Sequence, residues 1–185
     1  MGSHTKYMLE NGKELDVFDG IFPLSFRHIA YTFAKDSYFK IGWSDSDVPE
    51  RKSHDYFLHS TYSETDLENL GYIKELQNSY VWDFISNYKI EKAVVNLSTP
   101  SDVNFTHVHP EDKVLLYYVN VDWQQGWHGE TQFYSEDLTK VQFTSPYTPG
   151  RLILFDASIP HTIRPQSIIA PQFRFTLALC LTLNR

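Results

Sequence analysis

The segment Thr106-His107-Val108-His109-Pro110-Glu111 sets two imidazoles and a carboxylate at alternate positions. Residues two apart on an extended chain share a face, so neighbours in this series can grip one ion together. A further donor, His161, follows Ile159-Pro160, and Arg174 lies thirteen residues beyond it. Two imidazoles and a carboxylate on one side of an octahedral ion leave three positions open, as in non-haem Fe(II) sites. Two ligand sets are available. One is His109, Glu111 and His161. The other is His107, His109 and His161, which is all-histidine. The first is preferred because a carboxylate is the expected third ligand; in it His107 shares the face of His109 as an outer neighbour or substrate contact.

Such an ion can take a 2-oxo acid at two open positions and O2 at the third. A dianionic 2-oxo acid needs a cation at its far carboxylate. Arg174 could meet it with charge-assisted hydrogen bonds worth roughly 1.5–3 kcal/mol each. Thr176, two residues on, shares its face. With eight histidines in the chain, chance pairs are common and a lone His-x-Glu is a weak signal. The weight lies in several features occurring in order.

The elements that must position these groups change character near residue 90. Before it, helical and irregular signals dominate. Glu14–Asp19 reads as a strand, and Pro23 through Ala34 as a helix with Phe26, Ile29, Ala30 and Phe33 on its apolar stripe. Tyr38–Trp43 reads as a strand and Ser44–Ser53, with Pro49, as a loop. Thr65 or Asp66 would cap a second helix buried through Leu67, Leu70, Ile73 and Leu76, which Gly71 would split. A helical turn is expected at Val81–Ser86. The polar stretch Trp43–Tyr62 suits a lid or substrate loop.

After residue 90 the expected strands are Lys92–Leu97, Val114–Val121, Glu130–Tyr134, Val141–Thr144, Arg151–Phe155 and Phe173–Leu183. Turn residues separate them, which points to a sandwich or barrel with helices on one outer face. In the last strand Phe173, Phe175, Leu177, Leu179, Leu181 and Leu183 share a core-like face. Arg174, Thr176, Ala178, Cys180 and Thr182 share the other, whose small residues suit a cavity wall. Cys180 is then a wall residue rather than a reactive thiol.

Composition bounds the function. The 185 residues suit one domain, with 1–89 as helical support and possible lid and 90–185 as the barrel core. A net charge of -7 disfavours nucleic acid and anionic membranes as partners. No apolar run reaches the roughly 20 residues that span a bilayer, and one cysteine allows no internal disulfide, so a soluble cytoplasmic protein is expected. Met1-Gly2-Ser3-His4 lacks the apolar core of a signal peptide and reads in part as a scar, so His4 is given no weight. Oligomeric state is not legible.

Leu115-Leu116-Tyr117-Tyr118-Val119-Asn120, then Trp123, Gly129-Glu130-Thr131 and Phe133, resemble the prolyl 4-hydroxylase type of Fe(II)/2-oxoglutarate oxygenase. So do Pro149-Gly150-Arg151-Leu152-Ile153-Leu154-Phe155 leading to Pro160-His161 and Arg164-Pro165, and the closing Arg174-Phe175-Thr176. The resemblance spans about residues 90–183 and departs where the family has His-x-Asp. It implies a mainly β fold, the double-stranded β-helix or jelly roll, with supporting N-terminal helices. It implies His109, Glu111 and His161 as iron ligands, with His107 as the alternative. Arg174 would anchor the cosubstrate, aided by Tyr118 and Thr176, and no catalytic side chain is expected beyond the metal centre. The implied cofactors are Fe(II), 2-oxoglutarate and O2, with ascorbate as a candidate reductant. The implied reaction is hydroxylation of an unactivated C–H bond with release of succinate and CO2. The substrate would be a small molecule or peptide, with proline as the first guess. Two rivals remain: a cupin-like three-histidine metal enzyme that uses no 2-oxo acid, and a jelly-roll binding module without turnover.

Overall fold

The computed structural model describes residues 2–42, 58–100 and 105–184. Its core is two antiparallel sheets. The strands are β1 (Ser3–Met8), β2 (Glu14–Asp19), β3 (Lys40–Ile41), β4 (Leu58–Tyr62), β5 (Tyr88–Ser98), β6 (Lys113–Tyr118), β7 (Thr131–Tyr134), β8 (Val141–Ser145), β9 (Leu152–Asp156), β10 (His161–Ile163) and β11 (Arg174–Leu183). The large sheet runs β1-β2-β9-β6-β11-β5-β4-β3, and the small one β10-β7-β8. This is the expected mainly β jelly roll.

The alternation in β11 divides the interior. Phe175, Leu177, Leu179 and Leu181 join Leu115, Tyr117, Leu152 and Leu154 in a core beneath the helices α1 (Leu24–Lys35), α2 (Glu64–Leu70) and α3 (Tyr72–Gln77). Val114, Leu116, Tyr118, Ile153, Phe155 and Ala178 face the other way, towards Phe133 of the small sheet. The face read as core-like is therefore the helix-packed one. Its ends, Phe173 and Leu183, emerge at the surface.

Several local expectations shift. In α1 the buried stripe is Phe26, Ala30 and Ala34, while Ile29 is 53% exposed, because the sheet contacts a narrower strip of helix than the apolar pattern offers. Ser63, rather than Thr65 or Asp66, caps α2: its hydroxyl accepts the Asp66 N–H and the Asp66 carboxylate accepts the Ser63 N–H. Gly71, at φ 82°, ends α2 and starts α3, so the helix is split there. A last short helix, α4 (Trp82–Ile85), falls within the expected turn. The strand expected at Tyr38–Trp43 is reduced to β3.

The loop expected at Ser44–Ser53 lies outside the described residues, and so does most of the candidate lid. The end of that stretch is the strand β4, paired with β5. The N-terminal residues are also part of the fold. His4 in β1 hydrogen-bonds Asp16 at 2.7 Å and stacks on Phe18. Among the described residues no helix is long and apolar enough to cross a membrane.

Candidate metal centre and cosubstrate pocket

Between the sheets lies a cavity of about 70 Å³. Its walls include Thr176, Ala178 and Cys180 of β11, Val114 and Leu116 of β6, Lys92, Val94 and Asn96 of β5, and His107, His109 and His161. The small side chains read from the last strand thus line a cavity, and Cys180, 1% exposed, is one of them.

The histidines are brought together by backbone bonds. His107 and His161 form an isolated antiparallel bridge, each N–H donating to the other's carbonyl at 3.0 Å. Directly opposed residues project side chains to the same face, and His109, two along, joins them. Its own N–H donates to Ala157 O at 2.9 Å. The ring nitrogens of His107, His109 and His161 can all be chosen to lie within 4.8 Å of one another.

Proton placement follows from the outer partners. The Nδ1 of His161 is 2.9 Å from Ile159 O, and that of His107 is 3.3 Å from Phe105 O. A carbonyl only accepts, so both Nδ1 atoms carry protons and both Nε2 atoms present lone pairs. The Nε2 atoms of His109 and His161 are 3.3 Å apart, which makes His109 the donor across that gap in the metal-free chain. Burial, then the neighbouring His107 and His109, hold the His161 pKa well below its usual 6.5. A neutral imidazole is the form that binds metal.

Glu111 is placed differently. The chain bends at 110–112 before β6 begins. Asp112 N–H donates to Leu181 O and Asp112 O accepts from Ala157 N–H, both at 3.0 Å. Past that bend the Glu111 carboxylate groups with His109 and Cys180 instead of with His161, its oxygen also within 4.8 Å of their donor atoms. In this geometry His107, not Glu111, accompanies His109 and His161.

Arg174 is fully buried and sits behind the cavity wall. Its Nε donates to Gly129 O at 2.7 Å and its Nη2 to Thr131 Oγ1 at 3.3 Å, and its guanidinium lies 4.8 Å from the Tyr147 ring centroid. The Tyr118 hydroxyl donates to the same Thr131 Oγ1 at 2.8 Å. With two donors on its oxygen, the Thr131 hydroxyl keeps its own hydrogen for another partner, and Thr131 lines the cavity. Neither Arg174 nor Tyr118 touches the cavity directly; Thr131 relays them to it.

Thr176 Oγ1 is a cavity-wall hydroxyl, buried and without a hydrogen-bond partner. Such a group costs about 1–3 kcal/mol unless something bonds to it. Reading the sequence did not single out Thr131 or the role of Gly129. The signal for both was the Gly129-Glu130-Thr131 run, whose meaning appears only once Arg174 lies against it. Arg151 pairs bidentately with Asp19, both bonds 2.8 Å.

No protein-family model and no curated protein matches the sequence. Solved structures do match the fold. A prolyl hydroxylase from Trichoplax adhaerens, in complex with a hypoxia inducible factor oxygen degradation domain peptide fragment, superposes with a TM-score of 0.61 at 17% identity, covering 91% of this chain and 83% of that one. A prolyl-4-hydroxylase from Pseudomonas putida matches at 0.59 and 12% identity over 92% of each chain. A viral collagen prolyl hydroxylase from Paramecium Bursaria Chlorella virus-1 matches at 0.58 and 13%, over 99% and 96%. The fold of this chain is that of the prolyl hydroxylases.

Proposed function

We propose that the chain is an Fe(II)- and 2-oxoglutarate-dependent oxygenase that hydroxylates an unactivated C–H bond. The observation that carries this reading is the convergence of three imidazole donors on a cavity whose wall also holds the orphaned Thr176 hydroxyl. His107, His109 and His161 would hold the metal, which needs neutral nitrogen donors of this kind. Arg174, Thr131, Thr176 and Tyr118 would serve the 2-oxo acid. The cation sets the charge, Thr131 and Thr176 offer hydroxyls, and Tyr118 fixes Thr131. When bound, iron and 2-oxoglutarate supply oxidative decarboxylation to succinate and CO2, coupled to hydroxylation of substrate. The chain's own part is to orient the imidazoles through Ile159 and Phe105, to keep His161 neutral, and to wall the site with Val114, Leu116, Phe155 and Ala178 against water.

A peptide or an amino-acid-like small molecule is the proposed substrate. The fold shared with prolyl hydroxylases supports it, and the Trichoplax protein is in complex with a peptide fragment. The deciding experiment adds 2-oxoglutarate to the chain with Fe(II) under anaerobic, reducing conditions. A weak visible charge-transfer band is expected, followed in air by succinate. Failure to bind either component overturns the reading. Fe(II) binding without any 2-oxoglutarate effect would favour the cupin-like alternative, for which the all-histidine donor set is the specific support.

A further inference from the structure

A second set of three metal donors has two of its members on the cavity wall. The donor atoms of His109, Glu111 and Cys180 lie within 4.8 Å of one another, in a set of one nitrogen, one oxygen and one sulfur. His109 and Cys180 both line the cavity. Glu111 keeps one carboxylate oxygen, Oε2, shut off from solvent with no hydrogen-bond partner. Its other oxygen, Oε1, lies 4.0 Å from the Lys92 ammonium, which offsets the charge without occupying Oε2. A buried carboxylate oxygen left in this state is costly and is relieved by a cation.

We propose that His109, Glu111 and Cys180 form a second metal position that selects soft divalent ions, Zn2+ among physiological ones. Thiolate sulfur favours soft and borderline metals, and a His-Cys-carboxylate set with one open place suits tetrahedral Zn2+. The three-histidine group has no sulfur, so the two sets differ in which ion they prefer while sharing His109. On binding, the Cys180 thiol gives its proton to solvent and its sulfur bonds the metal, with no change of oxidation state. Three adjacent strands contribute to this position. Glu111 precedes β6, Cys180 lies in β11, and Lys92 pairs with Cys180 across from β5.

The test uses Cd2+ as the probe with the whole metal-free chain. A sulfur-to-cadmium charge-transfer band in the ultraviolet is expected to grow and saturate at one ion per chain. Cys180→Ser, close in shape to the native residue, should abolish the band while keeping cooperative thermal unfolding. Glu111→Gln should weaken Cd2+ by about tenfold or more. His107→Gln should retain the band, although the proposed function requires it to lose Fe(II). Absence of the band in the unaltered chain overturns the proposal. So does its loss in His107→Gln, which would put Cys180 with the three histidines. Neither result bears on whether the chain binds 2-oxoglutarate.

Discussion

His107 and His161 are bonded to each other twice through their backbones, N–H to carbonyl in both directions at 3.0 Å. The bridge does not involve either ring. His107→Ala should therefore keep the fold and lose the metal: Fe(II) affinity should fall by more than about 100-fold, beyond the range for outer partners. Glu111→Ala should leave Fe(II) affinity near the unaltered value. Anaerobic Fe(II) titration of the two variants checks this, and a severe loss in Glu111→Ala alone would restore the carboxylate ligand set.

Thr176→Val separates the hydroxyl from the shape. In the ligand-free chain the substitution removes an unpartnered buried group, so unfolding free energy should hold or rise by about 1 kcal/mol. Affinity for 2-oxoglutarate should fall at the same time. Urea unfolding and a binding titration on one preparation test both. A loss of stability with unchanged binding would mean that Thr176 is only packing.

Gly129 has φ 85°, and a Cβ there would meet Arg174 Cδ at 3.0 Å. Gly129→Ala combines backbone strain with displacement of the guanidinium, at about 1–3 kcal/mol. For a chain of this size each kcal/mol lowers Tm by roughly 2–4 °C. Cosubstrate affinity should drop with it, and Arg174→Lys should mimic that drop, since an ammonium cannot reproduce the planar fork that reaches Gly129 and Thr131 together. Calorimetry with and without 2-oxoglutarate measures both effects.

Stability of the metal-free chain should depend on pH through His161. In the unfolded chain its imidazole titrates near 6.5; in the folded chain burial and then His107 and His109 depress that value well below. Between the two pKa values the unfolded state holds the extra proton, so acid favours unfolding. The stability is whole above about pH 6.5 and declines as pH falls through the window beneath. His161→Gln should flatten that part of the profile, read as Tm against pH.

Much of this architecture can be read from β11, because two-residue alternation is a local property and its small-residue face does line the cavity. That His107 rather than Glu111 groups with His109 and His161 could not be read, since it depends on the bend held by Asp112 through Leu181 and Ala157, partners far along the chain. Thr131 was equally hidden: its value comes from Arg174, which packs so close to residue 129 that a Cβ there would lie 3.0 Å from its Cδ. Ile29 shows the opposite failure, where helical periodicity offered more apolar surface than the sheet covers.

Arg174, Thr176, Ala178 and Cys180 share one face of a single strand, and Phe175, Leu177, Leu179 and Leu181 share the other. A slip of one residue would exchange the two faces completely. The helical layer that grips the phenylalanine and leucines is thus a register clamp. A one-residue misalignment would bury the charge of Arg174 under α1–α3 and fill the cavity with leucine, so against that error the first half of the chain proofreads the chemistry carried by the second.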